Sequence, residues 1–370
     1  MTGRGQPLTV LGLMSGTSMD GVDACLARIS LSVSTLEFQI LDNVTIPFEA
    51  EERKAIAQSL TGTADEVAAL HFRLGAAYAR VAGNFLKGRA VDLVGCHGQT
   101  VAHRDGNYTL QVGTAAHLRS ILDVPVVSNF READVAAGGN GAPLMPFLDW
   151  LLCRSRPADT VILNVGGVAN ISAVARGAEQ MEVIGFDTGP GMGLIDEAAG
   201  LMFGHFSDLD GRYSAEGAIR EEILAELMAH PFVRRRPPKS TGRDEFGQEL
   251  VEQLVGRFSV PPADLLRSLV RFTARSIVDN MRRFVSFYDA VDTLIVSGGG
   301  VHHPLLMADL EAELPAWKVV TSQVVGIDPD FKEAFLMAVL AVAHVQGMAS
   351  NMPGVTGARE LVVLGQITSR

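Results

Sequence analysis

Basic residues are in short supply in this chain. Its 370 residues include 31 Lys and Arg against 42 Asp and Glu, a formal net charge of −11. That balance excludes a broad nucleic-acid-binding face, which needs a positive footprint over the phosphates. It does not exclude a nucleotide, whose phosphates can be held by backbone N–H groups and a metal. Cysteine is rarer still, at Cys25, Cys96 and Cys153. An odd number, widely spaced and without Cys-x-x-Cys, argues against a disulfide framework or a structural zinc site. Buried free thiols in a reducing compartment are expected instead. Long apolar runs are also missing. The longest, residues 335–345, is too short to span a bilayer, and residues 1–9 lack the apolar centre of a signal peptide. A cytoplasmic protein with no membrane partner is expected.

The apolar content is high, at 47% against 20% charged, which suits a large buried core. The length suits roughly two domains. Its 38 glycines gather in short runs, as tight backbone approaches require. Strand-like runs at 8–13, 91–96, 160–165 and 293–297 each stop at glycine-bearing segments. Helical spacing marks 64–86, 216–228, 250–258 and 262–287, and 332–344 is apolar enough for a buried helix. The alternation makes the class α/β. Residues 10–29 and 160–174 both read strand, glycine turn, strand, with turns opening at Gly16 and Gly166, 150 residues apart. Two related halves would give this pattern; so would two unrelated hairpins.

Several segments have the make-up of a nucleotide site. The first is Gly12-Leu13-Met14-Ser15-Gly16-Thr17-Ser18-Met19-Asp20-Gly21-Val22-Asp23. Small residues let backbone N–H groups approach a polyphosphate, Thr17 and Ser18 add hydroxyls, and Asp20 and Asp23 can position a hydrated Mg²⁺. The P-loop lysine is absent, so that fold is disfavoured. Gly166 and Gly167, followed by Asn170, offer a second clamp, and Gly298, Gly299 and Gly300 offer room for adenine or ribose before a helix opening near Pro304. Each alone is also explained by a tight turn. Asp187, in Ile184-Gly185-Phe186-Asp187-Thr188-Gly189-Pro190-Gly191, follows an apolar strand end and precedes a turn. A carboxylate there can take a proton from an attacking nucleophile, or can simply cap the turn. Asp196 and Glu197 read as helix-surface or metal-shell residues. His97, Gln99 and His103, with residues 140–144, can shape a sugar pocket through hydrogen bonds, and no metal-ligand spacing is present. Residues 234–243 form a basic stretch that Pro237 and Pro238 keep from being helical, either solvated or facing a phosphate or carboxylate.

Taken together, residues 12–23, 96–103, 130–146, 163–171, 186–191, 238–243, 297–307 and 353–358 resemble the anhydro-N-acetylmuramic acid kinases, in order along nearly the whole chain. The resemblance places the chain in the acetate/sugar kinase, Hsp70 and actin superfamily. It implies two RNase-H-like lobes around an ATP cleft, residues 1–135 with about 335–370 in one and 136–334 in the other. It implies cleavage of a 1,6-anhydro bond coupled to phosphorylation of O6, with ATP and Mg²⁺, in peptidoglycan recycling. Gly16 to Asp23 then match the ATP phosphate loop, and Asp187 the catalytic aspartate that activates water. Glu333 matches a glutamate near the substrate; His97, Gln99, Asn170, Thr188 and Gly189 are the other residues expected to bind the substrate. A homodimer is a family expectation. Three positions depart from the family's usual residues. Met192 and His303 stand where Asn is usual, and Asn129 where Asp is usual. A relative acting on another anhydrosugar such as levoglucosan stays open, as does an actin- or Hsp70-like module without a small-molecule substrate.

Overall fold

The structure is a computed structural model that describes residues 6–16, 21–33, 35–59, 62–205, 207–242 and 244–369. Thr17, Ser18, Met19, Asp20 and Arg243 of the motifs above lie outside the described residues. The strands, in chain order, are β1 Leu8–Met14, β2 Gly21–Leu31, β3 Leu36–Pro47, β4 Leu93–Cys96, β5 Gln99–Arg104, β6 Tyr108–Val112 and β7 Val126–Ser128. They continue with β8 Thr160–Val165, β9 Val168–Val174, β10 Ile184–Pro190, β11 Thr293–Ser297, β12 Lys318–Thr321 and β13 Gln366–Thr368. The chain divides into a first unit, Met1–Leu152 with Phe331–Arg370, and a second, Cys153–Asp330.

The sheet of the first unit runs β13-β7-β4-β1-β2-β3. β1, β2 and β3 are antiparallel neighbours, and β4 and β7 follow in parallel. The helix Lys332–Val345 lies on β1, β2 and β4 and is buried along most of its length, as its apolar run requires. Gly12 and Gly95 allow that contact: a Cβ on either would overlap the helix carbonyls of Ala334 and Met337. The helix Ala64–Leu86 has the bounds that its apolar spacing predicts. Thr63 caps it by accepting from Glu66 N–H at 3.3 Å, while Glu66 accepts from Thr63 N–H at 2.7 Å. Its buried face, with Tyr78, helps to form the unit's core.

The sheet of the second unit runs β10-β9-β8-β11-β12. Again three antiparallel strands precede two parallel ones. The repeat of strand order and of strand direction sets aside two unrelated hairpins. It is the pair of RNase-H-like sheets expected of the actin/hexokinase-like class. The unit's core gathers around the helix Pro262–Phe284, three residues shorter than its pattern suggests. The helix expected over 216–228 is Glu221–Met228, preceded by a separate turn Ser214–Glu216. Gly217 parts them, pressed so close to Ala263 that a side chain there would overlap its carbonyl.

All three cysteines are free and buried, and burial pushes the thiols of Cys25 and Cys96 up to about 12. Among the described residues, no helix is long and apolar enough to cross a membrane.

Candidate active site

Polar side chains form a row across four strands of the second unit, and β10 runs on through Asp187 to Pro190 where the sequence suggested a turn. Ser297 of β11 pairs with Asn164 of β8, Asn164 with Asn170 of β9, and Asn170 with Asp187 of β10. Paired residues share a face of the sheet, so a hydroxyl, two amides and a carboxylate stand in one row. Ser297 Oγ donates to Asn164 Oδ1 at 3.4 Å. Asp187 is held from the side: its N–H donates to the carbonyl of Lys239 at 3.2 Å, and its Oδ2 accepts from Thr241 N–H at 3.0 Å. The pairing of β10 shifts register between Asp187 and Gly189, where φ is 144°, a conformation suited to glycine. Thr188 faces the interior, its hydroxyl donating to Ala169 O at 3.0 Å.

The turn Gly166 and Gly167 is tied to the start of the helix Gly193–Phe203. N–H groups of Gly191 and Gly193 donate to Gly167 O, both at 3.0 Å, and Met192 N–H donates to Gly166 O at 2.8 Å. A Cβ on Gly191 would overlap Gly166 O, and one on Gly300 would overlap Val165. Gly298 has φ 83° and is packed on Val165 O. Gly167 and Gly299, in contrast, are exposed, and a Cβ on either meets nothing within 4 Å. These two present open backbone, the surface that a flat ring or a phosphate group needs.

In the first unit, β4 leads into a buried polar group. His97 Nδ1 lies 2.8 Å from Gly98 O, and its Nε2 accepts from Arg131 Nε at 3.0 Å. With Nε2 accepting, the proton sits on Nδ1 and the ring is neutral. Burial, reinforced by the Arg131 charge, holds its pKa down to about 3. Arg131 also donates to Gly141 O at 2.9 Å; burial brings its own pKa down to about 10 while Glu333 pulls it back up. Glu333 is raised by burial, against the pull of Arg131, and Asp23 adds to the rise. Gln99 Nε2 donates to Gly16 O at 3.1 Å, just past the end of β1. Within β2, Val22 lies in the core, and Asp23 Oδ1 accepts from Thr45 Oγ1 at 2.6 Å. Among the described residues no cluster of three or more His, Cys, Asp or Glu could hold a metal by itself.

A family model described as anhydro-N-acetylmuramic acid kinase matches residues 8–370. The chain belongs to the anhydro-N-acetylmuramic acid kinase family. It is 39% identical to the anhydro-N-acetylmuramic acid kinase of Salinibacter ruber, over 97% of this chain and 96% of that one. It is 36% identical to the enzyme of the same name from Caldanaerobacter subterraneus subsp. tengcongensis, with the same coverage. Among solved structures it resembles the activator of the 2-hydroxyisocaproyl-CoA dehydratase from Clostridium difficile with bound ADPNP. That likeness has a TM-score of 0.45 and 13% identity, over 92% of this chain and 96% of that one.

Within this family member, the three residues that the resemblance expects to differ all have structural tasks. Met192 is buried in the core of the second unit. His303 is buried and caps the helix Pro304–Glu313 by accepting from Leu306 N–H at 3.2 Å; its Nε2 stands 3.7 Å from Asp208. Asn129 takes φ 63°, a conformation that Asn tolerates, and donates to Gln366 at 3.3 Å. The candidate residues fall into two groups. Gly16, Gly21, Val22, Asp23, His97, Gln99 and Glu333 belong to the first unit; Gly166, Gly167, Asn170, Asp187, Thr188, Gly189, Gly298, Gly299 and Gly300 belong to the second. His103 stands apart on the β5–β6 hairpin, 3.1 Å from Thr109 Oγ1 and 3.2 Å from Asp105. Arg131, Lys239, Thr241 and Asn164 were missed individually, although each lies inside a segment marked by its motif. In the basic stretch 234–243, Arg234, Arg235 and Arg236 are exposed, Lys239 is buried, and the backbone N–H of Thr241 meets the chain's own Asp187.

Proposed function

We propose that this kinase opens 1,6-anhydro-N-acetylmuramic acid with water and phosphorylates O6 from ATP, giving N-acetylmuramate 6-phosphate and ADP. The observation that carries the mechanism is the double anchoring of Asp187, through its own N–H and through Thr241 N–H to its carboxylate. A general base must be kept aimed at the proton that it takes, and a carboxylate fixed by backbone groups on a sheet is kept so. Asp187 accepts a proton from the water that attacks C1. The C1–O6 bond breaks, O6 bonds to the γ-phosphorus, and ADP leaves with the bonding electrons. Water attacks from the face opposite the leaving oxygen, as in inverting glycoside hydrolysis, with phosphorus in the place of the acid's proton.

The open backbone at Gly167 and Gly299 suits ATP, and residues 16–23 of the first unit are proposed as the phosphate loop. Mg²⁺ would come with the nucleotide, held by its phosphates and, through water, by Asp20 and Asp23; it neutralises phosphate charge when bound. Asn170, Gly189, His97, Gln99 and Glu333 are the proposed sugar-side residues, with Thr188 supporting through the strand. A coupled ADP assay with 1,6-anhydro-N-acetylmuramic acid and levoglucosan tests the reading. ADP release should require the muramic sugar. Equal or faster turnover of levoglucosan, or none with either, overturns it.

A further inference from the structure

A buried ammonium lies behind Asp187. Lys239 Nζ donates to Asn280 Oδ1 at 2.6 Å and to the carbonyls of Phe232 and Val233 at 3.0 and 3.5 Å. The rings of Phe232, Phe284 and Phe186 stand 4.5, 5.4 and 5.8 Å from it. The side chain of Asn280 carries the connection onward: its Nδ2 donates to Thr188 O at 3.2 Å, where Ser276 Oγ also donates at 2.6 Å. On the backbone side, Lys239 O receives Asp187 N–H, and Thr241 N–H meets Asp187 Oδ2. The Lys239 side chain, through Asn280, and the backbone of residues 239 and 241 thus hold residue 188, the N–H of residue 187 and its carboxylate in one ring of contacts.

Burying an ammonium is expensive, and a hydrophobic side chain of similar length in a ring of phenylalanines is often no less stable. A charge in that place therefore calls for a task other than packing. We propose that Lys239 is a positioning residue for Asp187, fixing the direction of its carboxylate and, through its charge, keeping that carboxylate ionised. The proposal rests on Asp187 being the base. Burial brings the Lys239 ammonium down to about 8, helped by Arg235, while Asp187, Asp279 and Glu245 hold it up. At neutral pH the lysine still carries its proton. The other titratable groups facing this region are Arg235 and Glu245 from the loop, Asp279 from the helix Pro262–Phe284, and His230, which faces Glu245 and Arg235.

The test compares wild type, Lys239→Met and Lys239→Arg by the pH dependence of kcat with the muramic sugar. Carbon-13 titration of the Asp187 carboxyl, assigned with Asp187→Asn, accompanies it. Lys239→Met should lower kcat roughly 100-fold, the size of a small misplacement of a catalytic group, with KM for ATP within about twofold. Its acid limb and the carboxyl titration should both move up by about one pH unit, because a nearby cation is lost. Lys239→Arg should return both to the wild-type position. An unmoved titration in Lys239→Met, or no return with Arg, overturns the proposal. If the Met variant does not fold, Lys239→Gln, which keeps polar contacts without charge, reads the same titration. Because that titration needs no substrate, a wild type that makes no ADP refutes the reaction and leaves the lysine's effect measurable.

Discussion

The two sheets share an order and a direction of strands, yet the same row is apolar in one and polar in the other. In the first unit the row through the last residue of β4 reads Cys96, Leu13, Ala24 and Val44. In the second unit the row through the last residue of β11 reads Ser297, Asn164, Asn170 and Asp187. The architecture repeats and the chemistry does not. The first row helps to bury a helix; the second is proposed to hold a base. The nearest acid of the first sheet, Asp23, sits one pair further out, between Met14 and Thr45.

The sharpest way to break this comparison is at Asp187. Asp187→Asn should keep the fold and ATP binding while turnover falls roughly 10³–10⁴-fold, the range for loss of a general base; the coupled ADP assay and a nucleotide titration read the two quantities. Turnover within tenfold of wild type would remove the catalytic claim. Leu13→Ala in the matching row should do the reverse. Leu13 is fully buried, so truncation should cost about 3 kcal/mol of stability. Denaturant melts should show that loss while kcat per folded molecule holds. A collapse of kcat at full stability would mean that the apolar row also takes part in the chemistry.

A graded effect, small near neutral pH, concerns the first unit alone. His97 titrates near 3 when folded against 6.5 for an ordinary histidine, so the unfolded chain binds the extra proton first. The stability contributed by keeping His97 neutral is therefore complete above about pH 6.5. It is lost as pH falls toward 3, at about 1.4 kcal/mol per unit. Melts at neutral and mildly acid pH should show the slope, and His97→Gln should flatten it. An unchanged slope in that variant would assign the acid sensitivity elsewhere.

Much of this was legible in the residues. Gly16 and Gly166 marked both hairpins, and the apolar runs at 160–165 and 293–297 have the bounds of β8 and β11. Asp187 could be singled out because an apolar run leads into Asp-Thr-Gly-Pro-Gly, where the acid either takes a proton or caps a turn. The alternating, partly exposed β3 and the short β7 and β13 carry weak patterns, since edge and three-residue strands bury too little to leave a period. Lys239 was hidden for another reason. Nothing local distinguishes a lysine in a basic, proline-rich stretch from a solvated one; its burial is set by Asn280, 41 residues on in the helix Pro262–Phe284. The same holds for Arg131, whose meaning comes from Glu333.

The helix Lys332–Val345 completes the first sheet, but it is synthesised after the whole of the second unit. During translation β1, β2 and β4 must therefore wait with an apolar face uncovered, while Cys153–Asp330 already holds everything that its own sheet requires. The later-made unit is thus free to finish first, and the earlier-made one is sealed last, by a helix that closes over Gly12 and Gly95 like a keystone set from above.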